Sequence, residues 1–334
     1  MARRPLIITT QPGWAFATLS ELRAAGAGEE YVRFHHRDST LVCRDGIPAL
    51  PKDLNTPAEV FGEVMSSGSH RGEDATRRIV KLVRPDAVKR AVLDLLPYVE
   101  GTRSRRYSVT CETLGRTTVR RQELAQYVER AVQSAFPGWR RSSERAVRIF
   151  CKADPDYAFL GVQLHSNLGD DDSGRPGALR RHLACGLLQL AGVGVDSLVI
   201  DPFMGTGTIL DAALRLYQAR AVVGFEVDSA AAEIAERRLN SGKASIFRQS
   251  FESLDTALID SHTRIVTNVP FGAQFGQVDT RRLVRFLRRY RQAGARIIML
   301  ASRGQGAHLG RALGLRRKNV IVMGQPAVIL YGVR

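Results

Sequence analysis

Three short segments in the C-terminal half of this 334-residue chain combine residue types that could do chemistry. The most specific is Asn268-Val269-Pro270-Phe271-Gly272, directly after the strand-like run RIVT. An exocyclic amine on a nucleobase is a poor nucleophile, because its lone pair is delocalised into the ring. A site that accepts hydrogen bonds from both of its N–H groups, through the Asn268 side chain and the Val269 carbonyl, would localise that lone pair towards an electrophilic methyl group. Pro270 fixes the backbone there, and Phe271 offers a face on which a base can stack. Asn268 cannot ionise, so it would orient and polarise the amine rather than act as a strong base. The rate would then come from alignment and from charge complementarity in the transition state.

The second segment is Asp201-Pro202-Phe203-Met204-Gly205-Thr206-Gly207-Thr208, where a predicted strand ends and a helix begins. That junction is the natural ligand crevice of an open α/β sheet. Gly205 and Gly207 let the backbone turn and approach a ligand, and the helix N-terminus at Thr208 offers N–H donors that suit a carboxylate. The pattern lacks the third glycine of a dinucleotide fingerprint and the lysine of a phosphate loop, which argues against NAD and ATP. The third segment, Gly224-Phe225-Glu226-Val227-Asp228, ends the next predicted strand. Glu226, beside Val227, is placed to accept hydrogen bonds from a ribose diol, and Asp228 to cap the following helix.

These positions need a scaffold, and the pattern around them supplies one. From Leu179 onward strand and helix alternate: SLVIDPF, TILDAALRLYQ, AVVGFEVD, SAAAEIAERRLNSG, IFRQS, RIVTNVPFG, TRRLVRFLRRYRQAG, RIIMLASR. This predicts an α/β fold with a parallel, doubly wound, Rossmann-like sheet. Asn319–Val322 and Val328–Val333 flank a turn around Gly324–Pro326 and predict an antiparallel C-terminal hairpin. Upstream, residues 1–50 read as a small α+β unit with a helix at Phe16–Ala25. Residues 51–167 read as a second α+β unit with helices at Asp86–Leu96 and Arg120–Ala135. A polar, breaker-rich linker is expected at 168–178 and the Rossmann-like domain at 179–334.

The chain has 49 Lys and Arg against 33 Asp and Glu, a net charge of +16, which favours a polyanionic partner. No run approaches the roughly 20 apolar residues of a membrane span, so a cytoplasmic protein without a membrane partner is expected. The four cysteines are scattered and read as reduced core residues. No His/Cys cluster has metal-ligand spacing, so no metal is expected, and His35, His36, His165 and His182 read as structural or surface residues.

The motifs in this order resemble the class I methyltransferases that methylate amino groups, which show DPFxGxG, then an acid after the second strand, then an N-x-P-F type segment. Arg175-Pro176-Gly177-Ala178-Leu179-Arg180 with HLACGLLQLAG resembles the stretch before the first strand in the THUMP-linked branch. RRYSVTCETLGRTTVRRQELAQYVERAV and ADPDYAFLGVQL, with Asp154-Pro155-Asp156 and Leu160-Gly161, resemble a THUMP RNA-binding domain. The small N-terminal unit is similar to the ferredoxin-like domain that accompanies it. The family most resembled is the tRNA guanine-N2-methyltransferases of the acceptor stem.

The resemblance implies S-adenosyl-L-methionine as cofactor, held by Asp201, Pro202, Phe203, Gly205, Gly207, Thr208, Glu226, Val227 and Asn268. It also implies tRNA as partner, gripped at its 3′ end, with Arg103, Arg105, Arg106, Arg116, Arg120 and Arg121 as candidate backbone contacts. The target base would have to be extruded from its helix. Relatives often carry an Asp after the third strand; here Gln249-Ser250-Phe251 stands instead, with Ser250 a substitute on the adenine amine and Phe251 packing on the adenine. A monomer is expected. Rival readings keep the chemistry with another amine (ribosomal guanine N2 or adenine N6), or retain only RNA binding on the same scaffold. A nicotinamide oxidoreductase is disfavoured by the glycine pattern and the hairpin.

Overall fold

The structure is a computed structural model and describes residues 4–27, 32–35, 40–44, 54–70, 73–99, 105–168, 178–253, 259–270 and 279–332. These form two compact units. The first takes in residues up to Thr10 and from Leu22 to Ser166; the second takes in Gln11–Glu21 and everything from Asn167 onward.

In chain order the first unit contains β1 (Leu6–Thr9), the end of α1 (Ala15–Ala24), β2 (Val32–His35), β3 (Thr40–Cys43), β4 (Glu59–Gly68), α2 (Ala75–Leu82) and α3 (Pro85–Leu95). It continues with β5 (Arg106–Thr113), α4 (Arg121–Ala135), β6 (Arg140–Arg141), β7 (Val147–Ala153) and β8 (Tyr157–Ser166). Its eight strands form one sheet in the order β2-β3-β1-β4-β8-β7-β5-β6. The strands read as an N-terminal unit and those of residues 51–167 are therefore hydrogen-bonded together, β1 running antiparallel to β4. β5 and β7 are parallel, so the chain must cross over between them, and α4 makes that crossing. β7 turns into β8 through Asp154-Pro155-Asp156, where the Asp154 carboxylate accepts from the N–H groups of Asp156 and Tyr157 at 2.8 Å each. Phe61, Phe150 and Phe159 pack as a ring cluster in its core.

The second unit contains α5 (Arg181–Ala191), β9 (Leu198–Asp201), α6 (Thr208–Arg215), β10 (Ala221–Phe225), α7 (Ser229–Arg238), β11 (Ala244–Phe247) and β12 (Thr263–Asn268). Then come α8 (Thr280–Gln292), β13 (Arg296–Ser302), α9 (Arg303–Leu313), β14 (Arg316–Val322) and β15 (Gln325–Tyr331). The sheet order is β11-β10-β9-β12-β13-β15-β14. β9 to β13 are parallel, and β15 pairs antiparallel with both β13 and β14. This is the Rossmann-like sheet with a C-terminal hairpin that the alternating pattern predicts. The hairpin turn itself is Met323-Gly324, both at positive φ (49° and 79°), with Pro326 already inside β15.

α5, α6 and α7 cover one face through Leu183, Leu187, Leu188, Ile209 and Leu210. α8 and α9 cover the other through Leu283, Phe286, Leu287, Tyr290 and Leu309. Because both faces are covered, the central strands are apolar throughout, as in Leu198–Ile200 and Ile297–Ala301. Strand order reverses at β9, which has β10 on one side and β12 on the other, so the crevice beyond their carboxyl ends is the place for a ligand.

Gln11–Glu21 joins this second unit although it precedes the first unit's remaining strands. Trp14 explains why: it is buried, its indole N–H donates to the Ile321 carbonyl at 3.1 Å, and its ring lies where a side chain at Gly186 would stand. All four cysteines are buried, and none forms a disulfide among the described residues. Among the described residues no helix is long and apolar enough to cross a membrane.

Candidate active site

The three segments meet at the reversal point. Asp201 ends β9, Phe225 ends β10 just before Glu226, and Asn268 ends β12. β9 pairs with both other strands, so their carboxyl ends lie side by side.

Asp201 is 1% exposed and its carboxyl is held from two directions. Thr267 Oγ1 donates to Oδ1 at 2.5 Å and the Phe203 N–H donates to the same oxygen at 3.0 Å. The first bond ties β9 to the residue preceding Asn268, and the second shapes the loop that follows. Burial pushes the Asp201 carboxyl up to about 7, with Glu226 adding to the rise while the two hydrogen bonds oppose it. Both donors fall on Oδ1, and Oδ2 receives none from the described residues.

Glu226 organises the loop from the other side. Its Oε2 accepts from the Gly205 N–H at 3.0 Å, and its Oε1 accepts from the N–H groups of Val227 and Asp228 at 2.8 Å each. Its two oxygens keep lone pairs for a further donor such as a ribose hydroxyl. Asp228 caps α7, accepting from the Ala231 N–H at 2.8 Å. Val227 is 74% exposed.

Gly205 and Gly207 both sit at positive φ, 54° and 80°. A Cβ on Gly207 would stand 3.0 Å from Leu239 and 3.3 Å from Ala235, so the turn can lie against α7 only with glycine there. A Cβ on Gly205 would meet no described atom within 4 Å, which leaves that side of the turn open to a ligand. The first bond of α6 runs from the Asp211 N–H to the Gly207 carbonyl, so the N–H groups of Thr208, Ile209 and Leu210 stand outside the helical ladder. Thr208 Oγ1 accepts from Arg238 at 2.8 Å.

At the end of β12, the Asn268 side-chain oxygen is buried and has no hydrogen-bond partner among the described residues. A buried acceptor left unpaired costs about 1–3 kcal/mol, so a site that keeps one is prepared for a donor from elsewhere. Val269 is buried and its N–H donates to the Leu300 carbonyl at 2.9 Å. The Pro270 carbonyl is taken by Gln305 Nε2 at 2.9 Å. Gln305 also completes a capping box with Ser302 at the start of α9, so that helix end and the Asn268 turn are fixed together. Phe271 lies outside the described residues. Phe251 is 7% exposed and meets Phe203 and Phe286 edge-on, with ring centroids 5.2 and 4.7 Å away. It supports the loop at Phe203, while Ser250 is exposed.

Thr267 and Gln305 were not singled out by the sequence reading. Their partners lie 66 and 35 residues away, and no local pattern marks either one. Thr267→Val is expected to destabilise the second unit by about 1–3 kcal/mol, since it removes a donor from a buried carboxyl. Urea unfolding would measure this, and a variant as stable as the parent would show that the bond contributes nothing.

Residues 171–305 match the model of the family described as UPF0020: RMKL-like, methyltransferase domain. This part of the chain is similar to a methyltransferase domain of that family. A methyltransferase domain implies S-adenosylmethionine as its cofactor. The residues present fit that molecule: an open glycine surface, free N–H groups at α6, and carboxyl groups at the ends of β9 and β10.

Two curated relatives are U6 snRNA (guanine-N(2))-methyltransferases named THUMPD2. The one from Bos taurus is 26% identical over 214 residues, covering 61% of this chain and 42% of the relative. The one from Mus musculus is 23% identical over 259 residues, covering 74% of this chain and 47% of the relative. The chain thus spans less than half the length of the curated relatives it matches.

Among solved structures, TrmN from Thermus thermophilus is similar with a TM-score of 0.75 and 24% identity over 98% of both chains. SMU.472, solved in complex with SAH, is similar with a TM-score of 0.67 and 12% identity over 99% of this chain and 98% of that one. At such identities the likeness is one of fold. Together these comparisons share the resemblance carried by the motifs, to class I RNA methyltransferases of the THUMP-linked type.

Proposed function

We propose that the chain transfers a methyl group from S-adenosylmethionine to the exocyclic N2 amine of a guanosine in tRNA, in the acceptor stem. The observation that carries the chemistry is the buried, unpartnered Asn268 Oδ1 at the end of β12. An amine entering the site supplies the missing donor, and in doing so turns its lone pair out of the ring. The Val269 carbonyl takes the second N–H, and Pro270, its own carbonyl held by Gln305, keeps the turn in shape. Phe271 stacks on the base. Bound S-adenosylmethionine supplies an electrophilic methyl group. Asp201 and the α6 N-terminus hold the amino-acid end of the cofactor, Glu226 the ribose, and Ser250 the adenine edge.

Guanine N2 as the target is supported by the activity in the names of the THUMPD2 relatives. The acceptor stem of tRNA is supported by the resemblance of residues 51–167 to a THUMP domain. On that unit Arg105, Arg106, Arg116, Arg120 and Arg121 are exposed and stand ready for backbone phosphates, while Arg103 lies outside the described residues. The same relatives favour a second reading in which the RNA is U6 snRNA.

Transfer of labelled methyl groups into unmodified total tRNA, followed by nucleoside analysis, tests both parts. N2-methylguanosine in tRNA is the expected product. N2-methylguanosine formed only in a U6 transcript would move the substrate to the second reading. N6-methyladenosine would overturn the guanine assignment. No transfer into any RNA, with cofactor still bound, would overturn the catalytic reading.

A further inference from the structure

The positive charge of the chain is not spread along it. Residues 280–334 hold 13 of the 49 Lys and Arg and none of the 33 Asp and Glu, so this stretch alone accounts for +13 of the net +16. Residues 51–167, with 20 basic and 14 acidic residues, carry only +6. Residues 168–279, which hold the cofactor motifs, have 10 basic and 14 acidic residues and carry −4.

Structure turns this excess into a surface. α8 buries Leu283, Val284, Phe286, Leu287 and Tyr290 against the sheet. Its opposite face exposes Arg281, Arg282, Arg285, Arg288 and Arg289. Arg282 pairs with Asp279 and Glu252, and Arg288 donates to the Ala312 carbonyl. The side chains of Arg281, Arg285 and Arg289 make no ion pair or hydrogen bond with a described residue, while the Arg281 backbone N–H donates to the Asp279 carboxylate at 2.9 Å. They lie four residues apart, one above the other along a single line of the helix, about 6 Å per step.

Placement relates this line to the site. α8 begins twelve residues after Asn268, and its first turns lie beside the segment after β11. There Arg282 approaches Glu252 at 3.7 Å, and Phe286 meets Phe251, which in turn meets Phe203 of the glycine loop.

No exposed large hydrophobic residue lies on α8 or α9. A protein interface or a membrane-seated helix would need such anchors. Guanidinium groups in a row, with no acid in the sequence from Thr280 onward, suit a row of phosphates.

We propose that the outer face of α8, through Arg281, Arg285 and Arg289, is a binding surface for the sugar–phosphate backbone of the RNA substrate beside the target nucleotide. This rests on the RNA reading above and places a principal backbone contact on the methyltransferase domain itself. α8 fixes the RNA relative to Asn268, and the extruded base reaches the site from a backbone held a short distance away.

The test uses the full chain with Arg281→Gln, Arg285→Gln and Arg289→Gln combined, and an unmodified tRNA transcript as probe. Affinity is measured across a salt series, alongside S-adenosylmethionine binding. The expected result is RNA affinity lower by about tenfold or more, and a slope of log affinity on log salt shallower by about 2 to 3, close to one phosphate per arginine. Affinity for S-adenosylmethionine should match the parent, which shows that the domain is folded. A parent that binds RNA and a triple variant with the same affinity and slope would overturn the surface and leave the RNA reading standing. A parent without salt-dependent affinity for tRNA or for a U6 transcript would overturn both. If the triple variant lost affinity only for anionic phospholipid vesicles and kept that for RNA, the face would belong to a membrane and the proposal would fall.

Discussion

Replacing Asn268 by alanine is expected to lower kcat by about a hundredfold to a thousandfold, as when one preorganised hydrogen-bonding group is removed from an active site. Affinity for RNA should stay close to the parent's. The split follows from where the residue stands. Asn268 ends β12, but the turn after it is held by other groups: the Val269 N–H on Leu300 and the Pro270 carbonyl on Gln305. Truncating the side chain therefore removes an acceptor without loosening the frame. The Asn268 oxygen is buried and unpaired among the described residues, so its loss should leave thermal stability unchanged or slightly higher. A residue kept for structure would give the reverse, a less stable protein with ordinary turnover. Single-turnover methylation with saturating cofactor, together with a melting curve, separates the two; full activity in the alanine variant would remove Asn268 from the chemistry.

The site was legible in the sequence wherever its chemistry is written in neighbouring residues. Gly205 and Gly207 are demanded by positive φ and by the approach of α7, and such a demand shows as a residue type at one position. Asp228 caps the helix that directly follows it. Thr267 and Gln305 were missed because each acts on a partner brought near only by the fold.

The elements show the same division. α8 carries a strong apolar stripe and was read over nearly its full length. α9 was not anticipated, because RGQGAHLGRAL has three glycines, which local propensity counts against a helix. Packing overrides that preference: a Cβ at Gly306 would fall 2.0 Å from a Val328 methyl carbon, so glycine is what lets α9 lie on the hairpin. β4 escaped notice for a related reason. Its Gly62 makes room for Leu95 of α3, and its last residues are polar. Trp14 looked like part of a separate N-terminal unit, and only the bond to Ile321, 307 residues later, reveals where it belongs.

The protonation of Asp201 leads to the second large effect, in cofactor binding. In the free protein burial holds this carboxyl at about 7, well above the usual carboxylate range, and its Oδ2 meets no donor among the described residues. S-adenosylmethionine carries positive charge on its sulfur and its amino group, and a nearby cation favours the ionised carboxyl. Binding should therefore expel a proton from Asp201, and affinity should rise by about tenfold between pH 6 and pH 8 and level off above that.

The stability of the free domain runs the other way. A carboxyl whose folded pKa exceeds its unfolded value binds more protons when folded, so its contribution declines as pH rises from about 4 to about 7 and is flat beyond. Asp201→Asn keeps the Oδ1 acceptor for Thr267 and Phe203 but puts an NH2 group where Oδ2 stood. Cofactor affinity at pH 8 should fall by about 10- to 100-fold, the range for a hydrogen bond to a charged group, and its pH dependence should vanish. Between pH 5 and pH 8 the stability change of the parent should differ from that of the asparagine variant by the Asp201 contribution, the parent being relatively more stable at pH 5. Calorimetric titration in buffers of differing ionisation enthalpy counts the released proton directly. An affinity independent of pH in the parent would mean that Asp201 is not sensed by the cofactor and acts only through Thr267 and the loop at Phe203.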